Sequence, residues 1–82
     1  MLFVVYILYS PSLDSDYIGQ TEKIENRLFR HNNSGSKSTK KANDWRVVYK
    51  EDFLDRTEAC IREVAIKNNK SRRYIEWLIQ QI

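Results

Sequence analysis

The sequence predicts an α+β fold, a small three-stranded antiparallel sheet flanked by helices in the order β-β-α-β-α-α. Three observations carry this. Two runs rich in β-branched and aromatic residues, Phe3 to Tyr9 and Tyr17 to Gln20, stand a short polar turn apart, which is hairpin spacing. Three helix-capping residues, Thr21, Asp55 and Ser71, each precede a stretch with apolar residues at helical intervals. A third short apolar run, Trp45 to Tyr49, falls between the first two of these helices.

The first run, FVVYILY, is apolar at almost every position, so it is expected to be buried on both faces and central in the sheet. Ser10 to Ser15, with Pro11 and Asp14, is the turn. Thr21 is read as the cap of a helix reaching about Asn32, with Glu22 and Glu25 at its positive end and Ile24 and Leu28 on its inner face. Asn33-Ser34-Gly35 ends it, and Ser36 to Asp44 is a polar loop. Asp55-Arg56-Thr57-Glu58 is a capping-box pattern opening a helix to about Asn69. Ser71 opens the last helix, whose apolar face is Ile75, Leu78, Ile79 and Ile82.

Eighty-two residues suit a single domain, residues 1–82, with one modest core. Hydrophobic residues make up 41% of the chain and charged ones 30%, which is not the signature of a disordered segment. A single cysteine, Cys60, excludes an internal disulfide framework and a cysteine zinc site, and fits a reducing cytoplasm. The apolar opening MLFVVYILY has nine residues, too few to span a membrane or act as a signal peptide. Net charge is +3 and unevenly placed. Residues 1–66 hold ten basic and ten acidic residues, whereas 67–82 hold Lys67, Lys70, Arg72 and Arg73 against Glu76 alone. Lys37, Lys40 and Lys41 form a second cluster in the polar loop. Such clusters suit phosphate contacts or a solvated surface.

On the first helix Arg27 and His31 stand four apart, hence on one face, and both border the apolar stripe. If that helix packs on the sheet, Tyr6, Tyr17, Arg27 and His31 converge, with Gly19 easing the passage from strand to helix. Taken singly, a strand tyrosine is more often core, and a lone arginine or histidine beside an apolar stripe is usually a packed side chain. Glu63 borders the apolar stripe of the second helix. A carboxylate there is to be paired, hydrogen-bonded or bound to a metal, and Arg62 and Lys67 are its nearest candidate partners.

These residues carry a family resemblance. The chain resembles a stand-alone GIY-YIG nuclease domain of the short bacterial type, similar to the catalytic domain of the excision-repair endonuclease. Tyr17-Ile18-Gly19 is the second half-motif intact, and Val4-Val5-Tyr6 matches the first with valine in place of glycine. The family's arginine and histidine fall on Arg27 and His31, and its single glutamate on Glu63. Gln20 stands where some relatives carry a lysine, and no counterpart appears for the asparagine that some relatives place beyond the glutamate helix.

The resemblance implies a DNA endonuclease using one divalent metal, Mg²⁺ or Mn²⁺, with Glu63 as its protein ligand. Magnesium often takes only one or two carboxylates and fills its shell with water and phosphate oxygens. Arg27 would bind a phosphate oxygen. Tyr6 would be the base and Tyr17 its hydrogen-bonded neighbour, with His31 orienting a hydroxyl, touching phosphate or relaying a proton. A tyrosine serving as base needs its pKa brought from about 10 towards neutrality. DNA, branched or damaged, is the implied partner, and repair or recombination the implied setting. Its basic residues Lys37, Lys40, Lys41, Lys67, Lys70, Arg72 and Arg73 would hold it. A monomer or weak homodimer is expected, cutting one strand at a time. Two other readings stay open: a catalytically weak or inactive nucleic-acid-binding module of the same fold, and an accessory protein docking a partner through Trp77 and Ile82. Trp77 itself is expected in the core.

Overall fold

The computed structural model describes residues 2–33, 41–69 and 71–80. Its elements are β1 (Phe3–Ser10), β2 (Ser15–Thr21), α1 (Ile24–Asn33), β3 (Arg46–Phe53), α2 (Arg56–Asn68) and α3 (Arg72–Ile79). The strands form one antiparallel sheet in the order β2-β1-β3. The α+β class, the element order and the central place of the first strand all follow the expectation. Val4 to Leu8 are buried without interruption, as a strand covered on both faces requires.

Alternation along β1 sends its side chains into two separate cores. Val4, Tyr6 and Leu8 pack with Trp45, Tyr17, Val47 and the inner face of α1, Ile24 and Leu28. Val5 and Ile7 pack with Ile18, Tyr49, Ala59 and Ile66 of α2, and Ile75 and Leu78 of α3. The sheet is thus the middle layer of three. Each large side chain buried this way contributes about 1.5–3 kcal/mol.

Two strands are longer than the apolar runs alone indicate. β2 pairs with β1 from Val4 opposite Thr21 to Ser10 opposite Ser15. β3 continues through Glu51 and Asp52, whose side chains are partly or fully exposed on an edge strand while their backbones pair with Val5 and Val4. A bulge shifts the pairing from Ile7–Tyr49 to Leu8–Val47, leaving Val48 extra in β3.

α1 begins later than Thr21. That residue stays in β2, and its Oγ1 accepts the Lys23 N–H at 3.1 Å. At the other end of α1, the side chain of Asn33 donates to Phe29 O at 2.8 Å. Gly35 lies outside the described residues. Asn32 reaches across to β3: its Nδ2 donates to Trp45 O at 2.9 Å, and Trp45 N–H donates to its Oδ1 at 2.7 Å. These two hydrogen bonds satisfy backbone groups at the mouth of β3 and pin the last turn of α1 to the sheet.

Asp55 caps α2 by accepting from Thr57 N–H at 3.1 Å, and Ser71 caps α3 by accepting from Tyr74 N–H at 3.2 Å. Trp77 departs from expectation. It is 54% exposed, lying against Tyr74 on the outer side of α3, because Ile75 and Leu78 already fill the buried face of this short helix. Ile82 lies outside the described residues. Among the described residues no helix is long and apolar enough to cross a membrane.

Candidate active site

The polar cluster is built around one missing side chain. Gly19 on β2 lies directly opposite Tyr6 on β1. A Cβ there would stand 2.7 Å from the Tyr6 hydroxyl oxygen and 2.9 Å from its Cζ. The Tyr6 ring therefore lies across the glycine. Gly19 sits well inside the strand, and what it supplies is room for a ring rather than the strand-to-helix passage expected of it.

Tyr17, two residues before Gly19, shares this face of the sheet. Its ring centroid is 6.4 Å from that of Tyr6 and 4.7 Å from that of His31. His31 enters from α1 three residues beyond Leu28, and it is 4% exposed. The Tyr6 hydroxyl and His31 Nε2 are 3.2 Å apart. Tyr6, Tyr17 and His31 thus meet as expected. The hydroxyl partner of Tyr6 is His31, not Tyr17, because the Tyr17 ring packs tilted against the imidazole instead.

Burial governs the electrostatics of this pair. It pushes the Tyr6 hydroxyl well above the ordinary tyrosine range, with Tyr17 and Glu63 adding to the effect and Arg27 and Arg30 opposing it. The pull of Arg27 is too small to bring Tyr6 towards neutrality in the protein alone. The His31 imidazole is held below its usual value, again first by burial and then by Arg27 and Arg30. At neutral pH a phenol and an uncharged imidazole face each other. The bond runs from Tyr6 Oη–H to a bare Nε2, or from Nε2–H to the phenolic oxygen.

Glu63 approaches from the other helix layer. α2 lies against β2, where Gln20 Nε2 contacts Cys60 Sγ at 3.0 Å. One turn beyond Cys60, the Glu63 carboxylate is half-buried and accepts from Lys67 Nζ. Its charge is still felt at the Tyr6 hydroxyl. Of the two partners in reach along the helix, Lys67 takes it. Arg62 bonds Glu51 instead, at 3.1 Å.

Arg27 is half-buried and forms no ion pair with a described carboxylate. It lines a groove of about 590 Å³ between α1, the end of β2 and the start of α2, with Lys23, Asn26, Arg30, Arg56 and Gln20 among its other walls. Tyr6, Tyr17, His31 and Glu63 do not line it, and Arg27 and Arg30, whose charges reach Tyr6 and His31, link groove and cluster.

Of the basic residues expected on nucleic acid, Lys41 and Arg73 are exposed, Lys67 is bound to Glu63, and Arg72 pairs with Asp14 at 3.3 Å and Asp16 at 3.8 Å. Lys37, Lys40 and Lys70 lie outside the described residues. Sequence reasoning passed over Asn32, whose bonds to Trp45 hold the turn that carries His31, and the groove cations Lys23, Arg30 and Arg56. The spacing of Lys23, Arg27 and Arg30 along one helix face was a readable signal. Arg56 gave none, since it is brought there by the packing of α2.

Comparison with known proteins agrees with this fold. A UPF0213 protein of Staphylococcus saprophyticus is 42% identical over 52 residues, 62% of this chain and 63% of the relative, so the match spans less than two thirds of that protein's length. The solution NMR structure of a UPF0213 protein from Bacillus halodurans superposes with a TM-score of 0.61 at 32% identity, covering 99% of this chain and 85% of that one. The family model of the GIY-YIG catalytic domain matches residues 2–75, which span both tyrosines, Arg27, His31 and Glu63, and the chain belongs to the GIY-YIG family.

Proposed function

We propose that this chain is a divalent-metal-dependent endonuclease that hydrolyses DNA phosphodiester bonds, in a repair or recombination setting. The observation that carries the reading is the buried hydrogen bond between Tyr6 and His31 across Gly19, flanked by Arg27 and by the charge of Glu63. A core tyrosine needs only some partner for its hydroxyl. Here the partner is an uncharged imidazole, a group able to take the phenolic proton.

The donor set fits a hard divalent cation. Glu63 offers carboxylate oxygens, and among the described residues no group of three histidines, cysteines or acids exists that would form an all-protein cage. One carboxylate with water and phosphate oxygens is a common Mg²⁺ arrangement. Glu63 would hold the ion after leaving Lys67, and the ion would supply charge stabilisation on the phosphate and the leaving oxygen. Arg27 binds a non-bridging phosphate oxygen. Tyr6 Oη takes a proton from the attacking water while its own proton moves to His31 Nε2, so a phenol and an imidazolium remain. The water oxygen bonds to phosphorus, the bond to the leaving oxygen breaks, and solvent protonates that oxygen.

A second reading is favoured by two observations: burial raises rather than lowers the proton affinity of Tyr6, and Glu63 is already ion-paired. Both would suit a nucleic-acid-binding module of the same fold without useful catalysis. The test is nicking of supercoiled plasmid at low salt by wild type and Glu63→Gln, with Mg²⁺, Mn²⁺ or EDTA. Nicking by the wild type alone, abolished by EDTA, supports the nuclease. No cutting by a folded wild type that binds DNA supports the binding module.

A further inference from the structure

Lys23 stands just before α1, its carbonyl accepting the Arg27 N–H at 3.0 Å, and with Arg27 and Arg30 at i+4 and i+7 it lines one side of the helix, with Asn26 among them. The adjoining stripe, Ile24, Leu28 and His31, is the one turned to the sheet. Arg56, the first residue of α2, closes the groove from the other wall with its guanidinium 5.6 Å from the Phe3 ring centroid. The groove holds four cations against one acid, Glu22, a local charge of 4 − 1 = +3 in a chain whose whole net charge is +3. None of the four forms an ion pair with a described carboxylate, whereas Arg62, Lys67 and Arg72 all do. Four like charges left together around one groove repel one another in the free protein, and an anion seated there relieves that repulsion.

We propose that the face of α1 bearing Lys23, Arg27 and Arg30, together with Arg56, is the track that holds the sugar–phosphate backbone of duplex DNA beside the Tyr6–His31 pair. The proposal rests on the nuclease reading for its choice of polyanion, and it goes beyond that reading by assigning where the substrate runs. From Lys23 to Arg30 the helix rises about 10 Å. At one phosphate per about 3.4 Å of strand, that length meets about three phosphates. Among the described residues the groove's lining offers cations and amides, and the one aromatic ring there, Phe3, lies half-buried beneath Arg56. Single strands are typically gripped by stacking their bases on such rings, so the groove suits a duplex touched through its backbone. Because Arg27 belongs to both groove and cluster, a backbone lying in the track brings one phosphate to the catalytic edge.

The experiment is anisotropy of a short labelled duplex, and of one of its single strands, titrated in EDTA over a salt series. Arg30→Gln/Arg56→Gln should lower the slope of log K against log salt by about 1.8, for two phosphates no longer neutralised, and weaken duplex binding at least about tenfold at low salt. Arg30→Lys/Arg56→Lys should keep most of the slope. Arg46→Gln/Lys50→Gln, which removes the same charge from β3, should change it by less than half as much. An unchanged slope in the groove variant, an equal loss in the β3 variant, or tighter binding of the single strand than of the duplex overturns the proposal. Cleavage in Mg²⁺ is scored separately. A wild type that binds with this slope but never cuts keeps the track and loses the nuclease. One that still cuts, with its salt slope unchanged after the groove is neutralised, keeps the nuclease and loses the track.

Discussion

The two faces of the sheet are made by the same three strands, yet they bury different chemistry. Against α2 and α3 the buried residues are Val5, Ile7, Ile18, Ala59, Ile66, Ile75 and Leu78, with the ring of Tyr49 among them. Polar groups stay at the rim of that layer, where Glu51 accepts from Tyr49 at 2.7 Å and from Arg62 at 3.1 Å, and Arg62 donates to Tyr74 at 3.3 Å. Against α1 the core contains the Tyr6 hydroxyl and the His31 ring, both almost wholly buried. One face is arranged for cohesion with its polar bonds still in contact with water. The other places a proton donor and a proton acceptor in a low-dielectric layer, where their pKa values move apart.

If that contrast is right, damage to the two faces should separate stability from activity. The largest stability effect is expected on the cohesive face. Ile66→Ala empties a fully buried position and should cost about 2–5 kcal/mol by urea denaturation, with nicking per folded molecule unchanged. A loss of nicking beyond the unfolded fraction would break the division of labour. On the other face, Gly19→Ala forces the Tyr6 ring away from His31. Overpacking of this kind should cost about 1–3 kcal/mol and abolish nicking in the molecules that remain folded.

The smallest effect sharpens the comparison through pH. Unfolded, His31 titrates near 6.5, and folded it titrates lower. Between those values the unfolded chain binds more protons, so stability should fall as pH drops below about 6.5 and stop falling once the folded value is passed. Melting temperatures followed from about pH 7 to about pH 5 should show this slope in wild type and lose it in His31→Gln. A slope that persists in the variant would assign the effect to carboxylates rather than to this face.

How much of this was written in the sequence depends on range. Elements and their order were readable because FVVYILY has no charged position and because Asp55 and Ser71 are local caps. Convergence of Tyr6, Tyr17 and His31 followed once α1 was laid on the sheet. Less accessible were features set by cross-strand register. Gly19 opposite Tyr6, rather than at a turn, is a matter of pairing. Burial of the Tyr6–His31 pair, which decides the direction of both pKa shifts, depends on how closely α1 docks. The pairing of Lys67 with Glu63 was readable from their i, i+4 spacing, whereas Arg72 looked like a free phosphate ligand because its partners Asp14 and Asp16 come near it only in the fold.

The Asn32 side chain has a consequence for how this scaffold tolerates change. By holding both the N–H and the C=O of Trp45, it fastens the last turn of α1 to the entry of β3 through two hydrogen bonds of one side chain. The histidine turn is therefore anchored at that entry. Removing that one amide, as in Asn32→Ala, should loosen the turn that carries His31 while leaving the Tyr6–Gly19 pairing of the sheet in place.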